Sequence, residues 1–352
     1  MPAFTSAYSF NRRTQMEYEV KKLLNKGLYS DILSVVDGDT DFTGFKNKTV
    51  VITGASKLLG YYLACAMLIS NDLYATDISV VAVDENETLF ERYGKLTYRK
   101  DIDFIVSRDY SGLTLNTADF VIHCEDFRNL DSEAVINLLS FIKKHSATSV
   151  ICTDSEVYGD VFNGKDRISE TDMGYSDFTK PALNTVQTQR MTESLALKLA
   201  RDCSLDIKLA RLCKIYGADS EDSTLGEIVD NVIHGRNLVV DMKKSKPQSY
   251  SYVTDAAEAV LTVLLNGKSA EIYNIASNCV ASYFQFASEC VRIYPKKELR
   301  LIRKGNTVAL SPMAPTLPVL DITKLCSIGF TPRVELSEGV KRFVEITAER
   351  RD

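Results

Sequence analysis

The stretch that decides the fold is KTVVITGASKLLG, residues Lys48–Gly60. An apolar run, a turn of small residues and the start of an amphipathic helix follow one another within it. Backbone N–H groups at a helix N-terminus, with the helix dipole behind them, bind a pyrophosphate when no side chain blocks its approach. Gly54 and Gly60 stand at glycine positions of such a turn, and Lys57 stands at the middle one. The stretch therefore predicts the first strand, turn and helix of a dinucleotide-binding fold with an altered turn.

The next β-branched run, Ile78–Val83, ends in Asp84, which lies 24 residues beyond Gly60. An acid at the end of this strand, about 20 residues after the glycine turn, is where a ribose hydroxyl is usually held. The spacing therefore predicts that Asp84 faces the ribose. The alternative is that Asp84 is an ordinary acid at a strand end, in contact with water.

Apolar strands continue to alternate with helical patterns after this point. Strands are predicted at Asp103–Val106, Phe120–His123, Ser149–Thr153 and Asp206–Leu212, and helices at Val135–His145 and Asn184–Asp202. Alternating βαβ units form parallel sheets, and right-handed crossovers place helices on both faces. We expect an α/β protein with a doubly wound parallel sheet.

Changes of pattern along the chain divide it into three parts. Residues 1–45 form an N-terminal extension, with apolar positions near helical spacing in 16–36. Residues 46–217 carry the alternating pattern of the nucleotide domain. Residues 218–352 mix short strands and helices with stretches rich in Pro and Lys, and we expect a smaller α/β substrate lobe partly interleaved with the first.

The composition bounds the class of protein. The chain has 352 residues, 45% hydrophobic and 25% charged, with a formal net charge of −5. This charge gives no electrostatic reason to expect nucleic acid or an anionic membrane surface as a partner. No apolar run of membrane-spanning length and no secretory leader is evident, so we expect a cytoplasmic protein with no membrane association.

The cysteines and histidines are not arranged like a metal site. The eight cysteines are scattered through apolar segments without paired metal spacing, and there are only three histidines. We interpret the cysteines as reduced core residues and expect no bound metal.

With these segments placed, a series of short motifs carries a resemblance to a known family. In chain order they are TGASKLLG at 53–60, DFVIHCED at 119–126, SEVYGD at 155–160, ARLCKIYGA at 210–218, YSYVTDAAEAV at 250–260, YNIAS at 273–277 and LDITKL at 320–325. The chain resembles the extended short-chain dehydrogenase/reductase family, which includes nucleotide-sugar epimerases, 4,6-dehydratases and UDP-glucuronate decarboxylases. The resemblance implies an NAD-binding Rossmann domain, a smaller lobe for a sugar nucleotide, and dimers formed through paired helices.

The resemblance also implies catalytic positions, and here the chain departs from the family. The family uses a tyrosine and a lysine one helical turn apart; the lysine lowers the tyrosine's pKa, and the phenolate takes a proton while hydride moves to NAD. Aligned on Glu193, these positions are Thr185 and Gln189, and the family's Ser/Thr position is Asp154. A threonine hydroxyl is a poor acid near neutral pH, and glutamine carries no charge. We therefore expect a degenerate active site.

The cofactor side shows a mixture of retained and altered positions. The candidate cofactor-binding residues are Gly54, Ser56, Lys57, Leu58, Leu59, Asp84, Asp109 and Glu125. Asp84 and Asp109 retain the family's adenosine-side acids. Glu125 brings a carboxylate to a position where the family favours a small residue beside the cofactor, and Gln248 replaces an arginine that the family uses toward the diphosphate. The resemblance thus implies NAD as the cofactor while leaving its binding in doubt.

Three hypotheses about activity remain open. The first is a non-catalytic member kept for binding or assembly, with a nucleotide or nucleotide sugar as ligand or an active family member as partner. The second is an active enzyme with rearranged groups, in which Tyr175 and Lys180 replace the catalytic pair and Glu156, at the position of a dehydratase base, takes part. The third is an oxidoreductase of another class.

Two further expectations concern the assembly and the pocket. The helix that contains Thr185 must bury an apolar stripe including Val186, Leu195 and Leu199, and we expect it to pair with its copy in a homodimer. We also expect Lys57 and Glu125 to approach one another across the mouth of the pyrophosphate pocket and partly occupy it. The alternative is that both side chains extend into water and leave the pocket open.

Overall fold

The computed structural model describes residues 18–110, 112–125, 132–159, 161, 166–177, 179, 184–218, 220, 224–242, 245–295, 299–305 and 319–349, with the backbone alone for residues 184 and 185. Its strands are β1 (Thr49–Thr53), β2 (Ser79–Asp84), β3 (Ile102–Val106), β4 (Phe120–His123), β5 (Thr148–Asp154), β6 (Ile207–Leu212), β7 (Lys214–Tyr216), β8 (Leu238–Asp241), β9 (Gln248–Tyr252), β10 (Ile272–Ile275), β11 (Cys279–Ala281) and β12 (Leu301–Lys304). Its α-helices are α1 (Val20–Leu23), α2 (Lys26–Val36), α3 (Leu58–Tyr74), α4 (Thr88–Tyr93), α5 (Ser132–His145), α6 (Asn184–Cys203), α7 (Thr224–Ile233), α8 (Val253–Asn266), α9 (Tyr283–Ile293), α10 (Thr323–Cys326) and α11 (Leu336–Glu349). Short 3₁₀ helices occupy Phe42–Phe45, Gly94–Tyr98 and Ser155–Tyr158.

The central sheet has seven strands in the order β10-β6-β5-β4-β1-β2-β3, and every neighbouring pair is parallel. β1 lies between β2 and β4 and is buried from its second residue onward, as expected for an apolar run without polar alternation. The prediction of a central parallel strand at Thr49–Thr53 is confirmed. The carboxyl ends of β1, β2, β4 and β5 meet at one edge of this sheet, where the predicted site residues gather.

Helices cover both faces of the sheet. Along β1, Val50 and Ile52 belong to one hydrophobic cluster and Val51 to another, because alternate strand residues point to opposite faces. α3 and α8 contribute to the cluster of Val50, and α5 and α6 contribute to the cluster of Val51. This is the doubly wound Rossmann-like arrangement that the sequence predicts.

α3 is buried on nearly all sides, which is unusual for a helix on the face of a sheet. Its residues Leu59 to Asn71 are buried without interruption. The reason is that the N-terminal extension covers its outer side: α2 packs on α3, α8 and α11. A helix that is apolar all round is stable only when it is enclosed in this way.

A buried carboxylate fastens the extension to the body of the molecule. Asp31 of α2 is 4% exposed and accepts hydrogen bonds from the hydroxyls of Tyr62, at 2.9 Å, and Tyr252, at 2.7 Å. Arg342 of α11 approaches the same carboxylate at 3.4 Å. Asp31 therefore joins three helices and the end of β9 through one side chain.

The second half of the chain builds two small sheets and returns once to the large one. β11, β9 and β7 form a three-stranded sheet, and β12 and β8 form a two-stranded one. β10 comes from beyond residue 217 and forms the edge of the central sheet beside β6. The domain boundaries at residues 46, 217 and 218 remain predictions. The structure shows that the chain beyond residue 217 adds β10 to the central sheet.

Most predicted elements are found within a few residues of their expected ends. The helix predicted at Asn184–Asp202 is Asn184–Cys203, and the strand predicted at Phe120–His123 has those bounds. The prediction omitted α4, α10, β7, β8, β11 and β12, which are short and carry little periodic signal. In the part of the chain that the structure describes, no helix has both the length and the hydrophobicity that crossing a membrane requires.

Candidate functional site

The glycine turn after β1 has the geometry that the sequence predicts for it. Gly54 adopts φ +66°, and a Cβ atom there would lie 2.7 Å from the carbonyl carbon and oxygen of Cys124. At Gly60, a Cβ atom would lie 2.3 Å from the carbonyl oxygen of Gly54. Gly54 is needed for the left-handed turn and for contact with the end of β4, and Gly60 lets α3 approach that turn.

The N-terminus of α3 points its free backbone groups at this turn. Lys57 is the N-cap residue in extended conformation, and its side chain makes no capping hydrogen bond. Its backbone N–H donates to the carbonyl of Gly54 at 3.0 Å. The first N–H groups of a helix have no partner within the helix, so those of Leu58 and Leu59 are suited to binding an anion.

Asp84 binds the glycine turn through its own carboxylate. One oxygen, Oδ2, accepts from the backbone N–H of Ser56 at 2.9 Å and from its hydroxyl at 2.7 Å. The other, Oδ1, accepts from the backbone N–H of Asn86 at 3.3 Å. Asp84 is 1% exposed. The carboxylate thus holds Ser56 in position beside the turn, and its predicted contact with a ribose stays a prediction.

Asp109 and Glu125 lie in different surroundings. Asp109 is exposed at the end of β3 and accepts from the side-chain amide of Asn137 at 3.0 Å. Glu125 is 6% exposed and lies near Tyr110. Burial, and after it the charge of Glu125, raises the pKa of the Tyr110 hydroxyl. Tyr110 therefore stays a neutral hydroxyl.

The predicted contact between Lys57 and Glu125 is wrong. Among the residues that the structure describes, Lys57 has no ion-pair partner, and no ion pair joins it to Glu125. The two residues differ in burial: Glu125 is 6% exposed directly after β4, whereas Lys57 is half-buried at the start of α3. Sequence position brings both residues to one crevice but does not determine the direction of their side chains.

The end of β5 is held by α6 through a buried polar cluster. Gln189 is 3% exposed, and its Oε1 atom accepts from the backbone N–H of Asp154 at 2.6 Å. Glu193, one helical turn further along, accepts from the hydroxyl of Thr153 at 2.9 Å. Glu193 also forms a two-bond ion pair with Arg211 of β6, at 2.9 and 2.7 Å. α6 therefore presents two groups to the end of β5: the neutral amide of Gln189 and the carboxylate of Glu193, whose charge is paired with Arg211.

The Tyr158–Gly159 turn is structural in this molecule. The hydroxyl of Tyr158 donates to Oδ1 of Asn274 at 2.5 Å, and the guanidinium of Arg211 lies 4.6 Å from the centre of its ring. Burial raises the pKa of Tyr158 to about 12. Gly159 has φ +63°, and a Cβ atom there would lie 2.4 Å from the carbonyl oxygen of Tyr175. Tyr158 is therefore unsuited to act as a base.

The remaining candidate residues are exposed or lie outside the described part. Asp154 and Glu156 are exposed at the end of β5, and the carboxylate of Asp154 accepts from the backbone N–H of Glu156 at 2.8 Å. The side chain of Tyr175 is 67% exposed. Lys180 and the side chain of Thr185 lie outside the described residues.

Gln248, at the position of the family's arginine, is buried. It is 2% exposed, and its amide nitrogen donates to the hydroxyl of Tyr250 at 2.6 Å. It is neutral and directed into the second lobe, so it offers no charge to a diphosphate. Arg211 was not among the predicted site residues, although its place inside the apolar strand β6 was a signal, because a buried arginine requires a partner.

Comparisons with known proteins identify the family and support the fold of the chain. A model of the NAD dependent epimerase/dehydratase family matches residues 50–276. The dTDP-D-glucose 4,6-dehydratase of Homo sapiens is 26% identical over 142 residues, which are 40% of this chain and 41% of that protein. The match therefore spans less than half of the relative's own length.

Solved structures extend the similarity of fold over most of the chain. The dTDP-glucose 4,6-dehydratase from Bacillus anthracis, in complex with NAD, matches with a TM-score of 0.70 and 15% identity, covering 86% of this chain and 97% of that one. The UDP-glucuronic acid 4-epimerase from Bacillus cereus, in complex with NAD, matches with a TM-score of 0.70 and 19% identity, covering 86% of this chain and 100% of that one. Since the family model covers more than half of the sequence and the fold agrees, the chain belongs to the NAD dependent epimerase/dehydratase family.

Proposed function

We propose that this chain is a non-catalytic member of its family, which binds a nucleotide at the glycine turn and acts in binding or assembly. The single observation that carries the proposal is the hydrogen bond from the Asp154 backbone N–H to Gln189. This hydrogen bond engages Gln189, which stands at the family's lysine position and has a neutral side chain. A phenolate formed next to it would lack the positive charge that lowers the pKa of the base.

Other groups around the end of β5 support the proposal. Arg211 is paired with Glu193, so its charge is compensated. The hydroxyl of Tyr158 donates to Asn274, and burial raises its pKa to about 12. Neither residue is placed to replace the missing pair.

The features of the first turn support nucleotide binding. Gly54 and Gly60 retain the close approach of backbone to ligand, and α3 directs its N-terminus at the turn. The pyrophosphate of NAD would accept hydrogen bonds from the backbone N–H groups of Leu58 and Leu59. In the family's chemistry NAD would supply the hydride acceptor. Asp84 reaches a ribose only if its contact with Ser56 allows a second partner.

The nucleotide-sugar side is weaker than the dinucleotide side. Gln248 is neutral and bonded to Tyr250, so a sugar nucleotide would lose one charged contact to its diphosphate. We therefore propose a nucleotide or nucleotide sugar as ligand and an identical chain or an active family member as partner. A cytoplasmic location remains a prediction.

The experiment that tests the proposal has two arms. Isothermal titration with NAD, NADP, ADP and a panel of UDP-, CDP- and dTDP-sugars measures binding, and product analysis with the same sugars and NAD measures turnover. We expect binding of at least one nucleotide without turnover. NAD-dependent conversion of any of these sugars would refute the absence of catalysis, and heat signals absent for every ligand would refute the nucleotide site.

A matched pair of variants separates the glycine turn from general stability. Gly54→Ala places a methyl group against Cys124, whereas Gly44→Ala meets only Leu265 at an ordinary 3.5 Å. Nucleotide binding should be lost in Gly54→Ala and retained in Gly44→Ala, with circular dichroism confirming that both are folded. Equal binding by the two variants would place the nucleotide elsewhere.

The second candidate function is an active enzyme with rearranged groups. It is favoured by one observation: Asp154 and Glu156 expose their carboxylates at the end of β5, where an acid or base must meet substrate. If turnover is found, Glu156→Gln and Tyr175→Phe should each abolish most of it. Full activity in both variants would exclude these residues as the rearranged groups.

A further inference from the structure

Two cysteine thiols lie side by side at the carboxyl ends of the central strands. Cys124 follows β4 directly and Cys152 lies within β5, and their sulfur atoms are 4.0 Å apart. Both are free thiols. No part of the proposed nucleotide binding or chemistry requires either sulfur.

The backbone brings this pair within the range that a disulfide requires. His123 and Ile151 are partners in the parallel register of β4 and β5, so Cys124 and Cys152 are the next lateral neighbours. Adjacent strands lie about 4.8 Å apart. Disulfides join Cα atoms separated by about 4.4–6.8 Å, so the bond can form with a small movement of the strand ends.

The two thiols differ in access. Cys124 is half-buried, whereas Cys152 is 3% exposed. The contact with Cys152 and burial both raise the pKa of the Cys124 thiol, so the pair is protonated at neutral pH and its oxidation, which requires the thiolate, is slow. Cys124 is thus the more accessible residue of the pair, and Cys152 lies beside it.

We propose that Cys124 and Cys152 form an oxidation site that closes to an intramolecular disulfide. Hydrogen peroxide oxidises the thiol of Cys124 to a sulfenic acid and releases water. The sulfur of Cys152 then attacks the Cys124 sulfur, the S–O bond breaks, and the hydroxyl leaves as a second water with the Cys152 proton. Two thiol hydrogens and two electrons have then passed to one peroxide.

The position of the pair gives the disulfide a structural effect and makes it reversible. The two sulfur atoms are 4.0 Å apart, whereas a disulfide holds them at about 2.0 Å. The bond therefore draws the two strand ends together and is readily reduced by a dithiol. The carbonyl group of Cys124 moves with it, and that group lies against Gly54.

The test treats the reduced, full-length protein with hydrogen peroxide and then analyses it by mass spectrometry without reduction. We expect the intact mass to fall by two hydrogens, a peptide that joins Cys124 to Cys152, and recovery of the original mass with dithiothreitol. Cys152→Ser should instead accumulate a sulfenic acid at Cys124, which dimedone traps. Cys326→Ser, which removes an exposed thiol, is the control and should behave like the wild type.

A second probe keeps the test decisive if Cys152→Ser does not fold. Phenylarsine oxide bridges two neighbouring thiols with release of one water, and its addition before peroxide should block the cross-link in the wild-type protein. The proposal is overturned if oxidation yields no peptide joining Cys124 to Cys152. It is equally overturned if dimedone labels Cys124 as strongly in the wild type as in Cys152→Ser.

Discussion

Gly54 is the residue at which backbone geometry restricts the sequence most sharply. Its φ of +66° lies in the left-handed region, which side chains other than glycine rarely adopt. Its Cα atom faces the backbone of Cys124 and Glu125, so an added methyl group meets atoms that cannot rotate away. Strain and close contact act at the same position, and both originate in the glycine turn after β1.

Gly54→Ala is therefore expected to lower the free energy of unfolding by about 2 kcal/mol or more, because a left-handed non-glycine residue alone costs roughly 1–3 kcal/mol. Gly44→Ala is the control, since its methyl group makes only an ordinary contact. Urea denaturation of both variants measures the difference. Equal stability of the two variants would contradict the geometry described for Gly54.

His123 is a buried base at the end of β4. It is fully enclosed, its Nδ1 atom lies 2.6 Å from the hydroxyl of Thr53, and burial lowers its pKa to about 3. The unfolded chain binds a proton on this imidazole below pH of about 6.5, and the folded chain does so only near pH 3. The contribution of neutral His123 to the free energy of unfolding is therefore fully present above pH 6.5 and is lost as the pH falls toward 3.

His123→Asn removes the titrating group and keeps a polar partner for Thr53. Between pH 7 and pH 5, the wild type should lose about 2 kcal/mol more of its free energy of unfolding than the variant does, as proton linkage requires for this pKa difference. Urea denaturation at the two pH values measures this. Parallel losses in both proteins would show that His123 is not buried as a neutral base.

At the scale of single elements, α2 decides how the N-terminal extension joins the molecule. Its Asp31 accepts from two tyrosine hydroxyls and approaches Arg342, all on different elements. Burial raises the pKa of Asp31, so enclosing the charge opposes folding while the hydrogen bonds favour it. We therefore expect the hydrogen-bond acceptor atoms of Asp31 to contribute more to the free energy of unfolding than its negative charge does.

Asp31→Ala should lower the free energy of unfolding by about 2–4 kcal/mol, because two buried hydroxyls lose their acceptor. Asp31→Asn is the matched control, since it retains one acceptor oxygen without the buried charge and should lose less. Thermal and urea denaturation compare the two variants. A larger loss in Asp31→Asn than in Asp31→Ala would show that the charge carries the contact.

At the scale of the whole molecule, α5 and α6 present the surface that we expect to pair with a second copy. Val186 is 4% exposed and already buried within its own chain, whereas Leu195 and Leu199 are half-buried. Ile136 of the neighbouring helix α5 is 54% exposed. The predicted apolar stripe on α6 is therefore buried within the chain at Val186. Its half-buried residues Leu195 and Leu199, together with Ile136 of α5, form the surface that we expect at the interface.

We expect sedimentation at micromolar concentration to show a dimer, and Ile136→Asp to shift it toward monomer because a charge would be buried at the interface. Val239→Asp is the control, since Val239 is 59% exposed on β8, in the second lobe. A wild-type protein that sediments only as a monomer contradicts the prediction. Equal dissociation in both variants would place the interface elsewhere.

The sequence by itself determined the succession of the main strands and helices along the chain and the position of the glycine turn. Local patterns carry this information: β-branched runs formed β1, β2 and β4, and the glycines at 54 and 60 formed the turn where they were expected. The same motifs placed the chain in its family. These properties depend on neighbouring residues along the chain, which is why they can be read from it.

Tertiary structure alone decided where the site side chains point and what they contact. The sequence placed Lys57 and Glu125 at one crevice, but the structure buries Glu125, and the described residues show no ion pair between the two. It likewise gave no sign that Gln189 would bind the Asp154 backbone or that Cys124 would meet Cys152. Such contacts join segments far apart in the chain, and their directions follow from packing between strand ends and helices, which no local pattern encodes.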